Sequence, residues 1–144
     1  GEPPTLPKGM GYLSFSHCSD AIILVWHKKK IGIDIERIDR NFNYAKLAKK
    51  YFFQSNRTSK LNKNFILNQW CAIEAAIKWD HGKLAEDIKD WVYFEGEKIL
   101  FHKKKKLNLK FTQINFYKWT ISLAYKEKSC FMNNYNFICS SKTF

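Results

Sequence analysis

The sequence predicts an α+β domain, a mostly antiparallel sheet with two main helices, and three observations carry that expectation. Lys30–Arg40 reads K-I-G-I-D-I-E-R-I-D-R, in which Ile31, Ile33 and Ile35 share one side of a period-two chain and Gly32, Asp34 and Glu36 the other. Asn64–Asp80 repeats Ile66, Leu67, Trp70, Ile73, Ala76 and Ile77 at intervals of three and four, the mark of an amphipathic helix. After Gly82 the pattern returns to short alternating runs, leaving a β-rich C-terminal half.

Residues 1–11 hold all the prolines and three of the six glycines, and read as an extended lead-in. Tyr12–Ser16 alternates as a short strand, Ser16–Asp20 is a polar turn, and Ala21–His27 is a near-continuous apolar run expected to form a buried strand. With Lys30–Glu36 this run is expected to form an antiparallel hairpin whose second strand presents the acids. On that strand the two carboxylates would stand roughly 7 Å apart behind a glycine that clears space. The plainer expectation for such a pattern is a half-solvated strand with an acidic wet face.

Asn41–Phe53 has helical spacing with Lys46, Lys49 and Lys50 outside, and Asn41 or Asn43 is its candidate cap. Gln54–Lys63 reads as a polar loop. On the Asn64–Asp80 helix, Trp70, Glu74 and Lys78 follow one another at i, i+4 and i+8 along one line. A surface Glu–Lys pair has this spacing too, but Ile73, Ala75, Ala76 and Ile77 around Glu74 point to a desolvated carboxylate that needs a cation. Gly82 is expected to stop the helix. Trp91–Phe94 and Lys98–Phe101 flank a Glu95-Gly96-Glu97 turn, Leu107–Ile114 and Trp119–Tyr125 are further strands, and Tyr135–Cys139 is a short final one. Lys103–Lys106 is expected to be a solvated turn.

At 144 residues the chain is one domain, 1–144, and its 45% apolar content with twelve Phe, seven Tyr and five Trp excludes a disordered one. No apolar run approaches the roughly 18 residues of a membrane span. Four cysteines without C-x-x-C spacing suggest neither a disulfide scaffold nor zinc, so reduced thiols and a cytoplasmic setting are expected. A net charge of +12 implies an anionic partner such as nucleic acid, a phosphorylated small molecule, an acidic protein or a membrane surface.

Three pieces line up in order: S-H-C at Ser16–Cys18, G-I-D-I-E at Gly32–Glu36, and W-C-A-I-E-A-A-I-K at Trp70–Lys78. Together they resemble the 4′-phosphopantetheinyl transferases, closest to the C-terminal half of the surfactin-synthetase-activating class, with its S-H-S turn, G-x-D-x-E strand and W-x-x-K-E-x-x-x-K helix. Gly1-Glu2-Pro3 sits where that family has G-K-P, and Phe111–Tyr125 resembles its closing strand pair. The resemblance implies Mg²⁺-dependent transfer of the phosphopantetheine arm of coenzyme A to a serine of an acidic acyl or peptidyl carrier protein, with release of 3′,5′-ADP. It implies Asp34, Glu36 and Glu74 as metal ligands, Glu74 (directly or through a water) as the base, and Lys78 on the phosphates and the leaving group. His17 would contact a coenzyme A phosphate, Trp70 would hold the helix, and the basic Asn43–Phe53 helix would be either a docking surface for the carrier or a plain amphipathic core helix with a solvated lysine face.

The chain departs from that pattern at Glu2 and Ile73, where the family has lysines, at His81 for glycine and at Cys18 for serine. The larger class also has a preceding half-domain that helps hold the nucleotide. The expectation is therefore a piece of a longer protein, a self-associating chain, or a weak binder of coenzyme A. Two rival expectations are a degenerate domain that only binds carrier protein and a basic nucleic-acid-binding module using Tyr93 and Phe101. The latter gives no reason for Asp34, Glu36 and Glu74 to converge.

Overall fold

A computed structural model describes residues 5–52, 62–127 and 140–141. Glu2, Cys130 and the expected strand Tyr135–Cys139 lie outside the described residues, as does most of the expected loop 54–63. In chain order the elements are β1 (Tyr12–His17), β2 (Ala21–His27), β3 (Ile31–Arg37), α1 (Tyr44–Tyr51), α2 (Lys63–Asp80) and the single turn α3 (Leu84–Asp87). A 3₁₀ turn at Ile88–Asp90 leads into β4 (Trp91–Phe94), β5 (Ile99–His102), β6 (Leu107–Phe116), β7 (Trp119–Tyr125) and the two-residue β8 (Ser140–Ser141). The architecture is α+β with every strand pairing antiparallel, in two sheets of order β1-β2-β8 and β3-β7-β6-β5-β4.

The expected hairpin between β2 and β3 does not form. β2 pairs with β1, and β3 leaves to pair with β7 in the other sheet. The reason lies in the isoleucine face. Ile31, Ile33 and Ile35 pack face to face against Ala21 and Ile23 of β2 and beside Trp119, Ile121 and Leu123 of β7, so the strands stack as layers. Each isoleucine buried this way contributes up to about 1.5–3 kcal/mol. Nor is β2 buried on both faces. Ala21 and Ile23 point inward, while Ile22, Leu24 and Trp26 are exposed, because this small sheet has only one face against the core.

The half-solvated strand is overturned as well: β3 is buried from Ile31 through Ile35 on both faces. Gly32 shows why. A Cβ there would lie 2.0 Å from the Ala75 carbonyl oxygen and 2.6 Å from the Trp79 nitrogen, so the backbone of α2 rests directly on the strand. The cross-strand partners of Gly32, Asp34 and Glu36 are Ala124, Ser122 and Thr120. All three are small, and they continue the flat seat on which α2 lies. On its other flank α2 packs Ile66, Ala72, Ile73 and Ile77 with Trp91, Leu100, Leu109 and Phe111. Tyr93 belongs to that core and is not a surface aromatic.

Asn62 caps α2 by accepting the Phe65 amide hydrogen, and Asn43 caps α1 by accepting that of Lys46. At the far end of α2 it is His81, not Gly82, that takes the left-handed conformation, with φ 56°, and Gly82 donates its amide hydrogen to the Ile77 carbonyl. The lysine run forms a turn as expected, but Lys104 and Lys105 are paired with Asp90 and Asp80. Among the described residues no helix is long and apolar enough to cross a membrane.

Candidate functional site

Four segments converge where α2 crosses β3. Period two on β3 sends Asp34 and Glu36 to the same face as Gly32, toward α2. The i, i+4, i+8 line on α2 brings Trp70, Glu74 and Lys78 down onto them. One oxygen each from Asp34, Glu36 and Glu74 lies within 4.8 Å of the others. Two residues the sequence reading did not single out complete the arrangement. Ser16, on the inner face of β1, donates to Asp34 Oδ1 at 2.7 Å. Arg40, just past β3, donates to Glu36 Oε2 at 2.6 Å. Ser14 and Ser16 both point inward in the alternation of β1, and that was the available signal for Ser16. Ser14 Oγ accepts the Ile33 amide hydrogen at 3.1 Å, which fixes β1 along the free edge of β3.

Lys78 Nζ donates to both Asp34 Oδ1 and Ser16 Oγ, each at 2.7 Å. Trp70 Nε1 donates to Glu36 Oε1 at 3.1 Å while its ring packs against Tyr51 and Phe52, so it joins packing to positioning. His17 is the exception among the expected site residues. It is exposed, and as Ser16's neighbour in the strand its side chain projects from the opposite face of the hairpin. The turn after it is anchored by Asp20, which accepts from Arg37 at 2.8 Å and Trp119 Nε1 at 3.1 Å and pairs with Lys118 at 2.8 Å. The Lys118 ammonium holds the Asp20 carboxyl down at about 2.

Burial governs the protonation of the site. It pushes Glu74 up to about 8, helped by the negative charge of Asp34 and opposed by Lys78. Glu36 is raised for the same first reason, with Arg40 opposing. Cys71, fully buried beside these acids, has its thiol held far above the usual range and donates weakly to the Thr120 carbonyl at 3.6 Å. It is a packing residue here, not a nucleophile.

The donor set fits a hard divalent cation such as Mg²⁺: three carboxylates, all oxygen, on two rigid elements. Asp34 Oδ2 is buried with no hydrogen-bond partner, an orphan that a cation would satisfy. Beside Glu36 a cleft of about 380 Å³ opens, lined by Arg40, Lys46 and Lys50 together with Phe42, Tyr51 and Trp70.

A second group, Asp87, Asp90 and His102, meets the same 4.8 Å criterion. One ligand atom of each residue is otherwise engaged, and His102 Nε2 is buried without a hydrogen-bond partner. Asp90 Oδ2 pairs with Lys104 at 2.7 Å, Asp87 Oδ2 accepts the Lys83 amide hydrogen at 2.6 Å, and His102 Nδ1 accepts that of Lys105 at 3.2 Å. Comparison of the chain with protein-family models and with curated proteins returns no match.

Proposed function

We propose that this domain transfers the 4′-phosphopantetheine arm of coenzyme A to a serine of an apo acyl or peptidyl carrier protein, releasing 3′,5′-ADP. The observation that carries this reading is the convergence of Asp34 and Glu36 from β3 with Glu74 from α2, within 4.8 Å, one helical turn from Lys78. Asp34, Glu36 and Glu74 would hold Mg²⁺, which supplies charge neutralisation on the pyrophosphate. The carrier serine oxygen forms a bond to the β-phosphorus while the bond from that phosphorus to the oxygen of the departing 3′,5′-ADP breaks. Glu74 takes the serine proton, directly or through a water, once it is a carboxylate. Lys78 stabilises the phosphates and the leaving group. By resemblance, His17 on the outer face of β1 contacts a coenzyme A phosphate. The lysines of α1 and the aromatic-lined cleft form a surface of the right sign for an acidic carrier.

Incubation with apo-carrier protein, coenzyme A and Mg²⁺, followed by intact mass measurement, tests the reading. A gain of one phosphopantetheine supports it, and no gain across carriers of fatty-acid, polyketide and peptide-synthetase type removes it. A second reading, a domain that binds carrier protein without modifying it, is favoured by one observation. Lys78 and Arg40 are engaged with Asp34 and Glu36, and so are turned from any phosphate. Carrier binding in a calorimeter with no response to coenzyme A or Mg²⁺ would select it.

A further inference from the structure

We propose that Lys78 and Arg40 are tethered counter-cations seated on the carboxylates of the metal-free protein, so that a divalent cation binds by exchange and frees both side chains for the anionic substrate. The inference rests on the metal site proposed above and adds to it a coupling between metal and anion. Three carboxyl groups held within 4.8 Å repel one another as they ionise, and the charge they carry needs a balancing cation whenever no metal is present. The cluster has one cation at each end. Lys78 Nζ is 2.7 Å from Asp34 Oδ1, and Arg40 reaches Glu36 Oε2 at 2.6 Å.

Exposure separates the movable groups from the fixed ones. The Lys78 and Arg40 side chains are 32% and 41% exposed, against 3% and 14% for the acids they pair with. Both cations therefore enter from the rim on long stems and can swing out without a change of fold. Ser16 and Trp70 are neutral donors that can stay where they are. With Trp70 on Oε1 and Arg40 on Oε2, Glu36 has each oxygen already accepting a hydrogen bond, so its release by Arg40 frees the charge a metal needs. Arg40 also lines the cleft with Lys46 and Lys50, so its guanidinium, once released, adds to a surface that is already cationic.

Linkage makes the coupling reciprocal: whatever the metal does for an anion through the freed cations, the anion does for the metal. Metal and anion therefore bind cooperatively.

The test is calorimetric titration of the whole chain with Mn²⁺, then with 3′,5′-ADP in the absence and presence of Mn²⁺. Lys78→Met should bind Mn²⁺ about five- to tenfold more tightly than the parent, and Arg40→Gln several-fold more tightly. Lys118→Met, which removes a lysine paired with Asp20 outside the cluster, should stay within about twofold and controls for net charge. Mn²⁺ should raise the affinity of the parent for 3′,5′-ADP, and by less in Lys78→Met. Should Lys78→Met prove too unstable to titrate, Arg40→Gln at the exposed rim decides alone. Unchanged or weaker Mn²⁺ binding in the variants, with normal binding in the parent, overturns the exchange and leaves the metal site standing. No Mn²⁺ binding by the parent or either variant removes the metal site itself, and the exchange with it.

Discussion

Two groups of side chains in this molecule offer three ligand atoms within 4.8 Å of one another, and they differ in what those atoms already do. At Asp87, Asp90 and His102 the acids are committed to the local chain: a lysine of the following turn and a backbone amide take their oxygens. His102 accepts the Lys105 amide hydrogen at Nδ1, so the neutral ring carries its proton on Nε2 and has no lone pair there for a metal. At Asp34, Glu36 and Glu74 the acids come from two elements far apart in sequence, Asp34 Oδ2 has no partner, and burial raises Glu36 and Glu74. The first group fastens the lysine turn to Asp90 and ties α3 to the Lys83 amide. The second keeps charge out of water at a cost the fold alone does not explain. Proximity of carboxylates is common, and each group holds one buried atom without a partner; the informative difference is that Asp34 Oδ2 is an acceptor open to a cation, whereas His102 Nε2 carries a hydrogen.

The largest expected effect breaks this contrast directly. Asp34→Asn should reduce carrier modification by roughly 10³-fold or more, since it removes a charge that several kcal/mol of transition-state stabilisation depends on. Asp90→Asn should leave the rate within about twofold. Mass spectrometry of the carrier under steady-state conditions reads both. Equal losses in the two variants would mean that the groups are not functionally distinct.

A second contrast concerns the seats of the two groups. At Gly32 the atoms in the way of a Cβ are the backbone of α2, which moves only if the helix does, so Gly32→Ala should cost about 3 kcal/mol in urea unfolding and displace Glu74. At Gly82 the nearest obstacle is the Asp87 carboxylate oxygen at 2.4 Å, the far end of a side chain. Gly82→Ala should cost about 1 kcal/mol, close to the loss of the one hydrogen bond Asp87 makes to the Lys83 amide. A larger cost at Gly82 than at Gly32 would show that the group of Asp87, Asp90 and His102, and not the metal-type group, anchors the helix.

How much of this was legible beforehand follows the range of the interactions. Strand and helix positions were readable because period two and period 3.6 are local, and Trp91–Phe94 and Trp119–Tyr125 fall where alternation puts them. Asp34 and Glu36 on β3 and Glu74 on α2 were each picked out by local spacing, i, i+2 and i, i+4, i+8, whereas their joining into one set was implied by the family resemblance and not by spacing. Strand pairing was not. A run such as Ala21–His27 looks the same whether its neighbour lies beside it in the sheet or above it in the next layer, and only tertiary packing decided that β3 joins β7. The partners of Arg40 and of the lysine turn were not legible for a related reason: a charge shows its partner only once the chain has folded. Ser16 was quoted as part of a motif, yet its contact with Asp34 depends on β1 lying along β3.

The smallest of the three effects is the pH dependence that should accompany the metal-type group alone. Glu74 titrates at about 8 in the folded protein, against an ordinary value of 4.5. Between those values the folded state binds more protons than the unfolded state, so metal-free stability must fall as pH rises. The contribution is complete below about 4.5 and is lost as pH passes through about 8. Solvent access and the Lys78 ammonium moderate it, and a fall of a few °C in Tm between pH 5 and pH 8.5 is the expected size for a chain of this length. Glu74→Gln should flatten the slope, and Asp90→Asn should leave it intact. Divalent binding adds the opposite sign, because the proton on Glu74 must leave before its oxygen can serve as a ligand. Affinity for Mn²⁺ should therefore climb over the same window and level off above about 8. A metal-free slope that survives Glu74→Gln would place the titrating group elsewhere and would remove the distinction in protonation between the two acidic groups.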